Sequence, residues 1–255
     1  MLCAAHTDIG NKKKVNQDSV VIRCAKVLDH MSVLASVCDG MGGLANGEVA
    51  SAEAVDMLDK WFDASLPPLF LVGLSDASFK ESMNRSILEA DARIGSFSDQ
   101  EGDCGTTVCA VFLYAGHYCC VNVGDSRVYR ISGEEIVQLT HDQSVIQDMI
   151  DRGELTPEEA VTHPDRNVLL QCVGAGGDVV PAYSFGKYEE GDVFLVCSDG
   201  LRHKLTPDEM VELFYGPSLK NEDIISGRIL RAIEKVKERG EKDNISLAVV
   251  KMSDD

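Results

Sequence analysis

Val33 to Gly43 reads V-L-A-S-V-C-D-G-M-G-G: an apolar run, one carboxylate, then glycines. The run has the pattern of a strand buried on both faces. Its acid, Asp39, then stands at the strand tip, fixed by the sheet and open to what lies beyond. The figure returns 160 residues later as V-F-L-V-C-S-D-G, Val193 to Gly200, and as the variant C-C-V-N-V-G-D-S-R, Cys119 to Arg127. Three acids at the ends of apolar segments predict one oxygen-lined site. Asp-Gly is also the commonest short hairpin signal, because both residues tolerate positive φ. A hairpin, however, continues into an alternating strand. Asp39 is followed by a glycine loop and a helical run, Glu48 to Phe62, and Asp199 by Leu201 to Leu205 and a helix start at Thr206.

Working outward, 255 residues with 44% hydrophobic and 26% charged content bury a substantial core. The net charge of −18 argues against a nucleic-acid backbone or an anionic membrane as partner. It suits a site that gathers divalent cations. No apolar run approaches the roughly 18 residues of a membrane span, and no signal-peptide pattern opens the chain, so a cytoplasmic protein is expected. The nine cysteines contain no C-x-x-C pair, which argues against thiolate zinc and thioredoxin-like chemistry. They read as small buried hydrophobes in a reducing compartment.

Ser19 to Val27 and Met31 to Cys38 read as antiparallel strands, and Glu48 to Phe62 as the first helix. Leu66 to Leu74, with Pro67 and Pro68, reads as a linker. Ser75 caps a second helix with Phe79, Met83, Ile87, Ala90 and Ile94 on one face. Thr106 to Tyr114, His117 to Val123, Arg127 to Ile131 and Glu135 to Leu139 form a meander. A polar excursion over 144–167 holds two short helices, the second opened by the capping box Thr156-Pro157-Glu158-Glu159. Strands follow at Tyr183 to Phe185 and Val193 to Ser198, helices at Thr206 to Phe214 and Asp223 to Arg239, and a last strand at Ile245 to Met252. No linker separates two domains. The expectation is one domain over 1–255, an α+β sandwich of antiparallel sheets covered by helices.

Six aspartates fall at element ends: Asp8, Asp18, Asp39, Asp125, Asp199 and Asp243. Mg²⁺ and Mn²⁺ want oxygen ligands and keep several waters, so one or two carboxylates per ion and a backbone carbonyl suffice. Two such ions about 4 Å apart bridge a water, lower its pKa and aim it at phosphorus, with no protein nucleophile. The sequence agrees in what it lacks: a G-x-S-x-G elbow, a P-loop, a cysteine-x₅-arginine loop and any zinc spacing among its histidines. Lys12 to Lys14 lies between Asp8 and Asp18 and offers a point charge for phosphate oxygens.

Together these motifs resemble the metal-dependent protein phosphatases of the PPM, or type 2C, family in its bacterial form. The resemblance runs from about Ala5 to Val250. It rests on T-D-I-G and N-Q-D (Thr7 to Gly10, Asn16 to Asp18), D-G-M-G-G (Asp39 to Gly43) and G-T-T (Gly105 to Thr107). It continues through G-D-S-R (Gly124 to Arg127), L-T-H-D-Q-S (Leu139 to Ser144), H-P-D-R-N (His163 to Asn167), S-D-G (Ser198 to Gly200) and D-N (Asp243, Asn244). It implies an α-β-β-α sandwich with the metals at one end, between the sheets. It implies two Mn²⁺ or Mg²⁺ ions and the attacking water held between them by Asp39, the Gly40 carbonyl on one ion, and Asp199 and Asp243 on the other. Asp18 acts one layer out through metal-bound water, Asp125 with Asp199 takes a weaker third ion, and 144–167 is the family's flap.

Two positions depart from the family pattern. Lys13 stands where an arginine usually clamps the substrate phosphate, keeping the charge but losing the bidentate fork. Met41 and Leu44 stand where many members carry a histidine, so the leaving-group proton must come from elsewhere. A metal-bound water is one candidate and His163 in the flap another, with a structural role ahead of Pro164 as the alternative for that histidine. The implied activity is hydrolysis of phosphoserine and phosphothreonine on proteins, with a serine/threonine kinase and its substrates as partners. Two rivals remain open: a catalytically impaired relative that binds a partner or phosphoprotein, and a metal-dependent hydrolase of small phosphate esters.

Overall fold

The computed structural model describes residues 1–27, 29–42, 46–101 and 104–253, with the backbone alone at 42 and 98–101. Two antiparallel sheets face each other. One has the strand order β1 (Leu2–Asp8), β11 (Ile245–Lys251), β10 (Val193–Cys197), β7 (Arg127–Ser132), β8 (Glu135–Gln138). The other runs β2 (Asp18–Val27), β3 (His30–Gly42), β5 (Val108–Tyr114), β6 (His117–Val123), β9 (Ala182–Lys187), with β4 (Cys104–Thr106) added beside β3. Among the described residues no helix is long and apolar enough to cross a membrane.

Alternation along the strands sorts side chains into three cores. Val33, Ala35 and Val37 of β3 join Phe194 and Val196 of β10 and Ala248 and Val250 of β11 between the sheets. Leu34 and Cys38 turn the other way, onto α1 (Gly47–Lys60) and α3 (Asp76–Glu101), where Trp61, Phe79, Met83 and Ile87 are buried. The outer face of the first sheet is covered by α7 (Pro207–Phe214) and α8 (Glu222–Glu238) through Met210, Leu213, Ile225, Ile229 and Val236. The layers are therefore helix, sheet, sheet, helix, as the resemblance implied.

Three expectations change. Leu66 to Leu74 is no linker: Leu66–Val72 is a helix, α2, entered through a π-helical turn at Trp61–Ser65. Pro67 and Pro68 sit in its first turn, where helical prolines are tolerated, and Leu66 is buried against the α1–α3 core. Second, β3 does not stop at the acid. It continues through Gly42 because Gly40, Met41 and Gly42 pair with Thr106, Gly105 and Cys104. Third, the cysteines are not all interior. Six are buried, but Cys3 and Cys172 are partly accessible and Cys24 is exposed.

The excursion over 144–167 leaves the sandwich between β8 and β9. It carries α4 (Val145–Asp151) and α5 (Pro157–Ala160), the latter opened by the expected capping box at Thr156 and Glu159. Its base is closed where the Val145 N–H donates to the Val168 carbonyl at 2.9 Å.

Candidate active site

Several elements deliver acids to one rim of the sandwich. Asp18 opens β2 and lies directly opposite Asp39 in the β2–β3 register. Val20 and Ile22 of β2, like Val33, Ala35 and Val37 of β3, turn toward the inter-sheet core. Two-residue periodicity carries both aspartates to that same side, past the last apolar layer. Asp199 starts α6 (Asp199–Arg202) after β10, Asp243 precedes β11, and Asp125 lies in the turn between β6 and β7.

Backbone contacts hold Asp39 rigidly. Its N–H donates to Thr107 Oγ1 at 2.9 Å. Its carbonyl accepts from the Thr107 N–H at 2.8 Å and from Thr106 Oγ1 at 3.1 Å. The G-T-T motif is thus the brace of the acid. The two Asp-Gly glycines serve close approach: a Cβ on Gly40 would stand 2.0 Å from the Gly47 carbonyl oxygen, and one on Gly200 2.0 Å from that of Asn244. No other residue fits either place without moving backbone.

The other acids are held less completely. Asp18 Oδ2 accepts from Ser198 Oγ at 2.8 Å, and Ser198 Oγ in turn accepts from the Ser246 N–H at 3.0 Å. Asp18 Oδ1 and Asp199 Oδ1 are buried with no partner among the described residues. Asp243 Oδ1 accepts from the Asn244 N–H at 2.9 Å and meets Lys13 Nζ at 2.7 Å. Asn244 pins the loop that carries Lys13: its amide donates to the carbonyls of Ile9 and Val15, and its Oδ1 accepts from the Gln17 N–H. Asp8, grouped with the site acids by sequence, is elsewhere. Both its oxygens face Lys237 of α8, at 2.9 and 3.0 Å.

The electrostatics follow from this crowding. Burial, and then the charges of Asp18, Asp199, Asp125 and Asp243, push the Asp39 carboxyl well above its usual range. Burial raises Asp18 to about 6 against the pull of its hydroxyl partners. Asp199 rises to about 7, with burial leading, Arg202 opposing and the neighbouring acids adding. Lys13 is raised although its burial works the other way, because Asp243, Asp39 and Asp199 all favour its charge. A carboxylate cluster with orphaned oxygens and too little positive charge fits hard divalent cations. Among the described residues no three His, Cys, Asp or Glu side chains stand together in a metal-binding group, so the fit to cations rests on the orphaned oxygens and the crowded charge.

Asp125 is different. Arg202 Nη2 meets its Oδ2 at 2.7 Å, and the same nitrogen lies 3.6 Å from Asp142, which Arg127 grips with two bonds of 2.8 Å. The sequence reading missed Arg202, although its signal was present: a cation three residues after Asp199, one helical turn on. It also missed His203, whose ring nitrogens each lie 3.7 Å from an acid, Asp199 and Glu241. His163 sits in the flap with Nδ1 accepting from the Asp165 N–H at 3.2 Å, and no contact to the acids is found among the described residues. Leu44 lies outside the described residues.

This geometry belongs to a known class. The family model of protein phosphatase 2C matches residues 9–223. The protein phosphatase PhpP of Streptococcus pneumoniae is 30% identical over 250 residues, 98% of this chain and 96% of that one. The serine/threonine phosphatase of S. agalactiae superposes with a TM-score of 0.85 at 29% identity, over 98% of this chain and 99% of the other. The catalytic domain of the phosphatase PstP, solved with two manganese ions, gives 0.80 at 27% identity, over 99% and 98%. The chain belongs to the protein phosphatase 2C family, among its bacterial serine/threonine members.

Proposed function

We propose that this chain, acting as one catalytic domain, is a Mn²⁺- or Mg²⁺-dependent phosphoprotein phosphatase that hydrolyses phosphoserine and phosphothreonine and so opposes a serine/threonine kinase. The observation that carries the reading is the uncompensated acid cluster: Asp39 opposite Asp18, with the unpartnered oxygens of Asp18 and Asp199 turned into the same buried rim. Bound there, two divalent cations would supply an activated water and offset the charge of the phosphate. Asp39 would be the residue shared by both ions, the Gly40 carbonyl would help hold one, and Asp199 and Asp243 would help hold the other. Asp18 stands one layer back, oriented by Ser198 and with Oδ1 open to accept.

Lys13 sits at the mouth, 39% exposed and already neighbouring three of the acids. It holds the phosphate oxygens as a point charge. Thr106 and Thr107 keep Asp39 from yielding as charge builds. For the leaving hydroxyl, the proposed donor is His163: its Nδ1 accepts a backbone N–H, so the neutral ring carries its proton on Nε2. The test is phosphate release from a phosphothreonine peptide and from nucleotides, with and without Mn²⁺. Mn²⁺-dependent turnover of the peptide, well above that of the nucleotides, is expected. Metal binding without turnover would favour the impaired relative, and preference for nucleotides the small-ester hydrolase.

A further inference from the structure

The pairing at Asp125 has a consequence for how many cations the site can take. Arg202 and Asp125 are both largely buried, their side chains 14% and 9% exposed, and they meet at 2.7 Å. Arg202 is further anchored by Asp142, itself held from the other side by Arg127. A guanidinium cannot lose its charge in a protein, so this positive charge is permanent. A divalent ion approaching Asp125 would have to break a buried pair and would then face Arg202 at close range. We infer that Arg202 is a built-in counter-cation: it occupies the Asp125 carboxylate that a third ion would need, and it limits the site to two ions. The arrangement departs from the three-ion expectation of the sequence. Arg202 acts through Asp125, as a positioning residue, and removes the dependence on a weakly held ion.

This inference rests on the two-ion reading above, and counting ions separates the two. Mn²⁺ titration followed by electron paramagnetic resonance is expected to give two bound ions for the wild type and two for Asp125→Asn. Arg202→Gln is expected to gain a third, weaker ion, and the double variant Arg202→Gln/Asp125→Asn to lose it. Three ions on the wild type, falling to two in Asp125→Asn, would overturn the counter-cation role and leave the two-ion reading standing. No ion on the wild type would overturn the two-ion reading and the inference with it. Should Arg202→Gln fail to fold, the wild type and Asp125→Asn decide the matter alone.

A second, independent observation concerns two sulfurs far from the acids. Cys3 of β1 and Cys24 of β2 lie on different sheets, with their Sγ atoms 4.0 Å apart. Cys24 is exposed, and Cys3 leans on Glu222. The segment between them carries Asp8, Lys13 and Asp18. We propose that this pair closes to a disulfide when a peroxide is present. The Cys24 thiolate attacks a peroxide oxygen, giving a sulfenic acid and releasing hydroxide or alkoxide. Cys3 then attacks that sulfur, forming the S–S bond and expelling water, so two thiols are oxidised by two electrons and the peroxide is reduced. The contact between the two thiols, in which either sulfur can donate, lets one thiol stabilise the other as a thiolate, and the exposed Cys24 is the one a peroxide reaches. Hydrogen peroxide treatment followed by non-reducing peptide mass analysis is expected to find the two peptides linked, two hydrogens lighter. The link should be reversed by dithiothreitol and absent in Cys3→Ser. Over-oxidation of Cys24 without a link, or linkage only between molecules, would overturn it.

Discussion

Two groups of buried carboxylates lie side by side in this molecule and are neutralised differently. Asp125 and Asp142 are paired within the chain, by Arg202 and Arg127. Asp39, Asp18 and Asp199 lack such close guanidinium pairing: Asp18 and Asp199 each keep an orphaned oxygen, His203 stands 3.7 Å from Asp199, and Lys13 stands at the mouth. The first group is complete on folding. In the proposed reading the second is completed by cations, and that incompleteness is what marks it as a site. An internal guanidinium stabilises but cannot exchange, whereas a bound metal leaves room for water and substrate.

The largest effect is expected at Asp39. Asp39→Asn should lower kcat at least about 100-fold, since even residues that merely orient a metal ligand cost 10–100-fold. It should also abolish the rise in Tm that Mn²⁺ gives the wild type. Near-normal turnover would show that this acid is not the bridge. Next comes Asp142→Asn, which leaves Arg127 and Arg202 short of their shared partner. Breaking a buried pair costs about 3–5 kcal/mol, so urea unfolding should show a loss of that order, while Mn²⁺ still binds. An unchanged midpoint would mean that the guanidinium pairs contribute little.

The pH dependence sharpens the contrast. Asp18 and Asp199 carry folded pKa values raised to about 6 and 7, above the unfolded value near 3.8. Between those values the folded chain binds more protons than the unfolded one. The metal-free protein should therefore lose stability as pH rises from about 4 through 7. Added Mn²⁺ should stabilise more at pH 8 than at pH 5, because it replaces protons. Equal stabilisation at both pH values would contradict the uncompensated cluster. The smallest effect is at Lys13: Lys13→Arg restores a two-pronged donor and should lower KM for a phosphopeptide a few-fold at similar kcat. A raised KM would remove Lys13 from phosphate binding.

Much of this was legible in the chain. The continuous apolar runs of β3 and β10 marked strands buried on both faces, the order of strands and helices gave the sandwich, and the figure of an apolar run ending in Asp-Gly marked Asp39 and Asp199. What escaped was non-local. Asp8 looked like its neighbours in sequence, yet it faces Lys237, 229 residues away. Leu66–Val72 carries two prolines that read as a break, but they fall in a first turn, where the missing N–H costs nothing. Arg202 was visible as a residue, but pairing it with Asp125 needs the turn between β6 and β7 brought against α6. Periodicity says which face a side chain takes, and only the fold says what it meets there.

The most direct test is a crystal of the wild-type protein soaked in Mn²⁺ and read by anomalous scattering. Two peaks are expected, both contacting the cluster of Asp39, Asp199 and Asp243, with Arg202 still seated on Asp125. A peak at Asp125 with Arg202 displaced, or no peak at Asp39, would contradict the division between the two groups of acids.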